Sequence, residues 1–243
     1  MKNKFFSALA AFSLLALASC SDDDSSSTID GSAKMYIKTV SVVSSDDNFE
    51  GSTLTVNYDG EGKVTSATDG DETSYFAYQN GNLQNISGAS DVLAVADFTN
   101  SAQDAYEVGE VLDYDNNGNP VKLRLFERDY DGSIYEEYVG ELTYEDKPNL
   151  FYYTLEAAGI IDVLNDVELN FSATPQSQEL VKAKMLLPVN NPKKLVIKYT
   201  NGEVKGQVVA DYVYNSDNYP TSATFTSSGE GDTEITTIVY TYK

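Results

Sequence analysis

Histidine is absent from all 243 residues, and so is tryptophan; cysteine occurs once, at Cys20. Without imidazole there is no His-assisted nucleophile and no histidine metal ligand. A single thiol can form no disulfide within the chain and supplies no thiolate cluster for a metal. Basic residues are scarce as well: 16 Lys and Arg stand against 38 Asp and Glu, a net charge of −22. That sign repels phosphate backbones, which excludes nucleic acid as a partner. No glycine-rich phosphate loop of the nucleotide-binding kinds is present. Carboxylate-only chemistry survives these exclusions, because glycoside hydrolysis needs only two placed acids. No cofactor is implied.

What is present begins with an export segment. Lys2 and Lys4 precede an apolar run from Phe5 to Ala18, broken only by Ser7 and Ser13. The run is too short for a spanning helix, which needs about 20 apolar residues, and it suits the core of a signal peptide. Leu17-Ala18-Ser19-Cys20 closes it with the pattern of a lipobox. Residues 1–19 are therefore expected to be removed, and Cys20 to carry the lipid that anchors the rest to a membrane. Loss of Lys2 and Lys4 would take the net charge from −22 to −24. Ser21-Asp22-Asp23-Asp24-Ser25-Ser26-Ser27-Thr28 cannot bury apolar area, so residues 20–32 read as an acidic, serine-rich tether. A serine-and-acid run directly after the lipidated cysteine resembles the surface-export signal of lipoproteins in the Bacteroidota. The expected address is the outer membrane, lipid-anchored and surface-exposed, with the periplasmic face as the alternative.

From 33 to 243 no Pro- or Gly-rich linker divides the chain, and a single β-rich domain is expected. Its 18 tyrosines recur at the ends of short strands that run into turns. Leu54–Tyr58 leads into Asp59-Gly60-Glu61-Gly62, and Tyr75–Tyr78 leads into Gln79-Asn80-Gly81-Asn82. Val111–Tyr114 precedes Asp115-Asn116-Asn117-Gly118-Asn119-Pro120, and Leu195–Tyr199 precedes Thr200-Asn201-Gly202-Glu203. Tyr212-Val213-Tyr214 runs into Asn215-Ser216-Asp217-Asn218-Tyr219-Pro220. Asn-Gly and Asp-Gly supply the positive φ of tight hairpin turns. Alternation places Val121, Leu123 and Leu125 on one face and Lys122 and Arg124 on the other, which fixes register. About a dozen such strands are too many for a flat sheet. The expectation is a mainly all-β fold, an antiparallel meander closed or strongly curled into a soluble barrel. One segment departs from this. Tyr152, Leu155, Ala158, Ile161 and Leu164 have helical spacing after Pro148, and predict one amphipathic helix near 150–165, with Gly159 as its weak point.

The recurring Tyr-[Asp/Asn]-x-x-[Gly/Asn] unit resembles a degenerate YD repeat. Tyr144–Asn149, Asn190–Leu195, Tyr199–Gly202 and Tyr212–Thr221 together resemble a family of uncharacterised Bacteroidota lipoproteins with a porin-like β-barrel fold. The resemblance implies an architecture and an address, and carries no activity or catalytic residue. A membrane-spanning barrel is not expected, because strands such as Lys194–Tyr199 and Glu136–Leu142 carry charge where lipid would lie.

Apart from Cys20, the candidate sites are weak. Asp113-x-Asp115-x-Asn117-Gly118 matches the first half of a calcium loop, but the twelfth position, which should be Glu, is Arg124. Asp129-Tyr130-Asp131-Gly132 is a fainter version, and no metal is expected at either. Tyrosine faces can stack on sugars, or simply fill half-buried strands. The pairs Glu136/Glu137 and Glu145/Asp146 are candidates for acid catalysis, and in sequence are adjacent acids on a strand and a turn. The turns at Asp59–Gly62, Asp115–Pro120 and Asn215–Pro220 are candidate binding loops. The sequence thus points to a non-enzymatic binding module for a glycan or a protein. A carboxylate-based glycan hydrolase and a purely structural envelope component are the alternatives.

Overall fold

The computed structural model describes residues 34–44, 52–89, 91–104, 109–128, 133–170, 180–229 and 231–243. The signal segment, Cys20, the tether and the Asp129–Gly132 turn lie outside the described residues.

The first half of the chain forms β1 (Ile37–Ser44), β2 (Thr53–Tyr58), β3 (Val64–Thr68), β4 (Thr73–Gln79), β5 (Asn82–Ser87) and β6 (Val92–Ala94). A short helix α1 (Val95–Thr99) and β7 (Gln103–Asp104) lead to β8 (Gly109–Tyr114), β9 (Pro120–Arg128) and β10 (Ile134–Pro148). Two helices follow, α2 (Tyr152–Ala157) and α3 (Ile160–Asp166), then β11 (Glu168–Asn170), β12 (Leu180–Lys182) and a 3₁₀ turn over Ala183–Leu186. The chain ends in β13 (Asn190–Tyr199), β14 (Val204–Tyr214), β15 (Pro220–Gly229) and β16 (Asp232–Tyr242).

Thirteen strands make one antiparallel sheet in the order β6-β5-β4-β3-β2-β1-β16-β15-β14-β13-β10-β9-β8. The predicted meander is therefore present, as a strongly curled sheet that does not close: β6 and β8 are its edges. A small sheet, β12-β11-β7, stands apart from it. The first and last strands of the chain lie side by side in the middle, with Val40 opposite Tyr240 and Val42 opposite Ile238.

The predicted helix is present and broken. Gly159 takes φ +71°, a left-handed conformation that ends α2 and begins α3. A side chain there would also crowd Leu83, since a Cβ would lie 3.2 Å from the Leu83 Cβ. Glycine is thus required by backbone and by packing, and the apolar spacing continues across the break. Leu150, Phe151, Ala157, Ala158 and Ile160 pack on Ile37, Val56, Val64, Ala223 and Tyr240. A second apolar cluster, Leu123, Leu142, Leu195, Val208 and Ala210, joins β9, β10, β13 and β14.

The helices close one end of the sheet. Ile37, at the start of β1, donates its N–H to Thr154 Oγ1 at 2.8 Å, and Tyr78, near the end of β4, donates to the Ala158 carbonyl at 3.2 Å. Antiparallel alternation puts the turns after β2, β4, β8 and β14 at this closed end. The turns after β3, β5, β13 and β15 lie at the opposite, open end.

Candidate functional site: the two ends of the sheet

The three turns singled out in the sequence all lie at the closed end, and in each the first acid or amide side chain closes the turn. Asp59 Oδ1 accepts the N–H groups of Glu61 and Lys63, both at 2.9 Å. Asp115 Oδ1 accepts those of Asn117 and Asn119, and Asn215 Oδ1 those of Asp217 and Tyr219. The positive φ falls three residues after that acid or amide, at Gly62, Gly118 and Asn218. The repeated Tyr-[Asp/Asn]-x-x-[Gly/Asn] pattern is therefore the signature of one turn: an acceptor side chain that gathers two backbone donors, then a residue tolerant of left-handed backbone. In the turn after Tyr58 the left-handed residue is Gly62 and not Gly60, so Asp-Gly was the wrong dipeptide to read there.

The Asp115 turn is also tied to the interior. Asp115 Oδ2 accepts from Asn119 Nδ2 at 2.8 Å, and the fully buried Asn119 uses its Oδ1 to hold the N–H groups of Val189 and Asn190. Asn149, also buried, donates to the Pro188 carbonyl and accepts from Phe151 N–H. Asp113 Oδ1 accepts from Tyr114 N–H, so the half calcium loop has both its carboxylates turned onto protein donors. These turns lock the fold.

The acidic pairs separate as strand alternation requires. Glu136 turns toward Tyr138, while Glu137 lies on the other face opposite Phe126. Glu145 is held by Lys193 at 2.9 Å, and Asp146 lies 3.6 Å from Lys147. One convergence of acids was not legible in the sequence. Glu127 from β9 and Glu136 from β10 each place Oε2 2.7 Å from the Tyr138 hydroxyl. Lys205, from β14, donates to the same hydroxyl, and its ammonium sits 3.9 Å above the Tyr138 ring. Burial, then the two carboxylates, push the Tyr138 phenol far above its ordinary value. A phenol has one O–H hydrogen, so the hydroxyl donates a hydrogen bond to one of the two carboxylates at a time.

This cluster stands at the open end. Across the sheet, at the same end, a groove of about 320 Å³ is bounded by Glu72, Ser74, Ile86, Asp91, Val92 and Leu93. Val92 and Leu93 are 66% and 51% exposed. The electrostatics around it are one-sided. From Val64 to Ala94, the span of β3 to β6, the sequence contains four Asp and Glu and no Lys or Arg. Asp69 has its carboxyl held below the usual range by the Glu72 and Asp71 N–H groups.

No family model and no curated protein matches the sequence. Among solved structures, the chain is similar to a porin-like protein from Bacteroides vulgatus at 13% identity, over 86% of this chain and 99% of that one, with a TM-score of 0.42. It is similar to a porin-like protein from Bacteroides uniformis at 11% identity, over 85% and 98%, with a TM-score of 0.37. A LolA superfamily protein from Nitrosomonas europaea aligns at 11% identity over 86% and 84%, with a TM-score of 0.26.

Proposed function

We propose that this chain is a lipid-anchored envelope protein that binds a partner, glycan or protein, at the open end of its sheet and performs no chemistry there. One observation carries the reading: the two ends of the fold are different. Lys243 donates its N–H to the Tyr36 carbonyl at 2.8 Å, so the start of β1 and the chain's last residue meet at the closed end. A tether leading back to Cys20 leaves from that end. An anchored molecule then turns its helices toward the membrane and holds the open end outward by the length of the strands, roughly 27–37 Å at ~3.4 Å per residue. The exposed apolar and acidic groups at that end are free to meet a partner.

The hydrolase reading has one observation in its favour. Two acids sharing one hydroxyl lie no more than about 5.4 Å apart, near the ~5–5.5 Å of retaining glycosidases. The gap a sugar would need is filled by the Tyr138 hydroxyl and the Lys205 ammonium. The cluster therefore serves as a polar clasp between β9, β10 and β14.

Detergent phase partition of cell extracts tests the anchor. Wild-type protein should enter the detergent phase, and Cys20→Ala should stay aqueous or unprocessed. Changing Asp22, Asp23 and Asp24 to Ala should keep the lipid and reduce cleavage by protease added to whole cells. Incubation with a polysaccharide panel tests the second half. Release of reducing ends that vanishes in Glu136→Gln would overturn the non-catalytic reading.

A further inference from the structure

We infer that β6 is a docking strand for an extended, lysine- or arginine-rich polypeptide, which adds to the sheet beside Val92 and sets its basic side chains against Glu72 and Asp91. The inference rests on the binding role proposed for the open end, and it names the chemistry of the partner.

The backbone argument comes from register. Gly88 donates its N–H to the Asp91 carbonyl at 2.8 Å across the turn between β5 and β6. Beyond it Ser87 faces Val92, Ile86 faces Leu93 and Asn85 faces Ala94. Antiparallel pairs alternate between bonded and non-bonded. Leu93 is then bonded to Ile86, and the N–H and C=O of Val92 and the N–H of Ala94 point away from β5. Since β6 is an edge of the sheet, these groups face outward.

Side chains distinguish this edge from the other. Exposed edges are normally guarded by charge. β8 carries Glu110 and Asp113, whereas β6 is Val-Leu-Ala and two of its three side chains are more than half exposed. The groove beside it has room for one or two side chains of an added strand. Charge selects the occupant. With four acids and no base between Val64 and Ala94, the span of β3 to β6, this side of the sheet repels an acidic partner and attracts a basic one. A second copy of the chain, equally acidic, is disfavoured on the same ground. A glycan is less suited, because no aromatic ring borders the groove. Strand addition supplies affinity through main-chain bonds and specificity through alternate side chains.

Full-length protein in detergent micelles would be titrated against a fluorescein-labelled, end-blocked decapeptide of alternating Lys and Val, followed by anisotropy. Binding at low salt should weaken roughly ten-fold between about 20 and 300 mM salt, and an alternating Glu–Val peptide should not bind. Val92→Pro removes an outward N–H and leaves the Ile86–Leu93 bonds in place, so it should weaken binding about ten-fold. Glu72→Gln with Asp91→Asn should lower affinity and flatten the salt dependence. Hydrogen exchange on the wild type keeps the test open if Val92→Pro fails to fold: the peptide should slow exchange at Val92 and Ala94. Absence of binding at low salt, or binding with no protection at β6, would overturn the inference. So would self-association that Val92→Pro abolishes, which would identify the occupant as a second copy. A glycan that binds the open end while the peptide does not would overturn it too, and would leave the broader binding role standing.

Discussion

The hydroxyl of Tyr144 donates to the carbonyl of Pro120 at 2.6 Å, from near the end of β10 to the first residue of β9. The ladder between these strands stops short of the pair, at Glu141 opposite Lys122. Beyond that point the strands splay, and the phenol spans the gap. Four further pairs repeat the arrangement at the closed end. Tyr58 donates to Ile37, Tyr78 to Val64, Tyr212 to Pro192 and Tyr242 to Pro220, in each case across a hairpin whose ladder has already ended. Three of the five acceptors are prolines, which have a carbonyl to satisfy and no N–H to offer. Five of the 18 tyrosines are thereby accounted for: their hydroxyls complete the sheet where its strands part.

Tyr144→Phe removes the donor and keeps the ring. The Pro120 carbonyl is left without its partner at the foot of the buried Asn119 turn, at an expected cost of about 1–3 kcal/mol. Tyr75→Phe, at an exposed position, should change stability by less than ~0.5 kcal/mol. Chemical denaturation of the two variants measures the difference.

Alkali should loosen the fold through the same hydroxyls. Burial raises Tyr58, Tyr144, Tyr212 and Tyr242 above the ordinary value of 10, and raises Tyr78 to about 12. A phenol with a raised folded value contributes stability that is fully present below pH 10, and that is lost as pH rises through the folded value. The melting temperature should therefore fall between pH 10 and about 12. Ultraviolet titration should show a class of late-ionising tyrosines that merges with the rest once the protein is unfolded in denaturant. Titration of every tyrosine near 10 in the native state would contradict this.

Asn119→Ala should be among the most damaging polar substitutions. It strips the acceptor from Val189 and Asn190 and the donor from Asp115, inside a fully buried site. A loss of about 2–4 kcal/mol is expected, from more than one unsatisfied group. Asn117→Ala, exposed and bonded to Asn190 at 3.3 Å, should cost below ~1 kcal/mol in the same assay.

Gly109→Ala tests the entry to β8. A Cβ there would lie 2.1 Å from the Arg124 carbonyl oxygen, with φ at +148°. No side-chain rotation relieves a clash with backbone, so a cost above ~2 kcal/mol is expected. Gly70→Ala separates the two causes. Its φ is +102° and nothing lies within 4 Å, so it should show only the conformational penalty, about 1 kcal/mol.

Much of the sheet was legible because alternation is a local signal: Val121, Leu123 and Leu125 do share a face, and the strand boundaries fall within a few residues of their turns. The helix was legible in its apolar spacing, and its break was legible only as a doubtful glycine. The packing that leaves no room for a side chain at Gly159 comes from Leu83, far away in sequence. The meeting of Glu127, Glu136, Tyr138 and Lys205 was not legible, because it depends on the register of β9, β10, β13 and β14 together. The candidate binding loops were ambiguous in the sequence for a different reason. Asn, Asp and Gly suit both ligand binding and turn closure, and Asp59, Asp115 and Asn215 are spent on closure.

The pairing of β1 with β16 sets an order on how the molecule is made. Thr39 bonds to Thr241 across 202 residues, so the seam at the centre of the sheet can form only after the last strand exists. Until then the chain holds two half-meanders, β1–β6 and β8–β15, each with an inner edge bare. Contacts of such long span are slow to form. A chain synthesised from its N-terminus must therefore carry β1 unpaired on its outer side until synthesis is complete. The same seam makes the two ends of the described chain neighbours, so linking Lys243 to Lys34 and reopening the chain at the Thr200–Glu203 turn should yield a permuted protein with the same sheet.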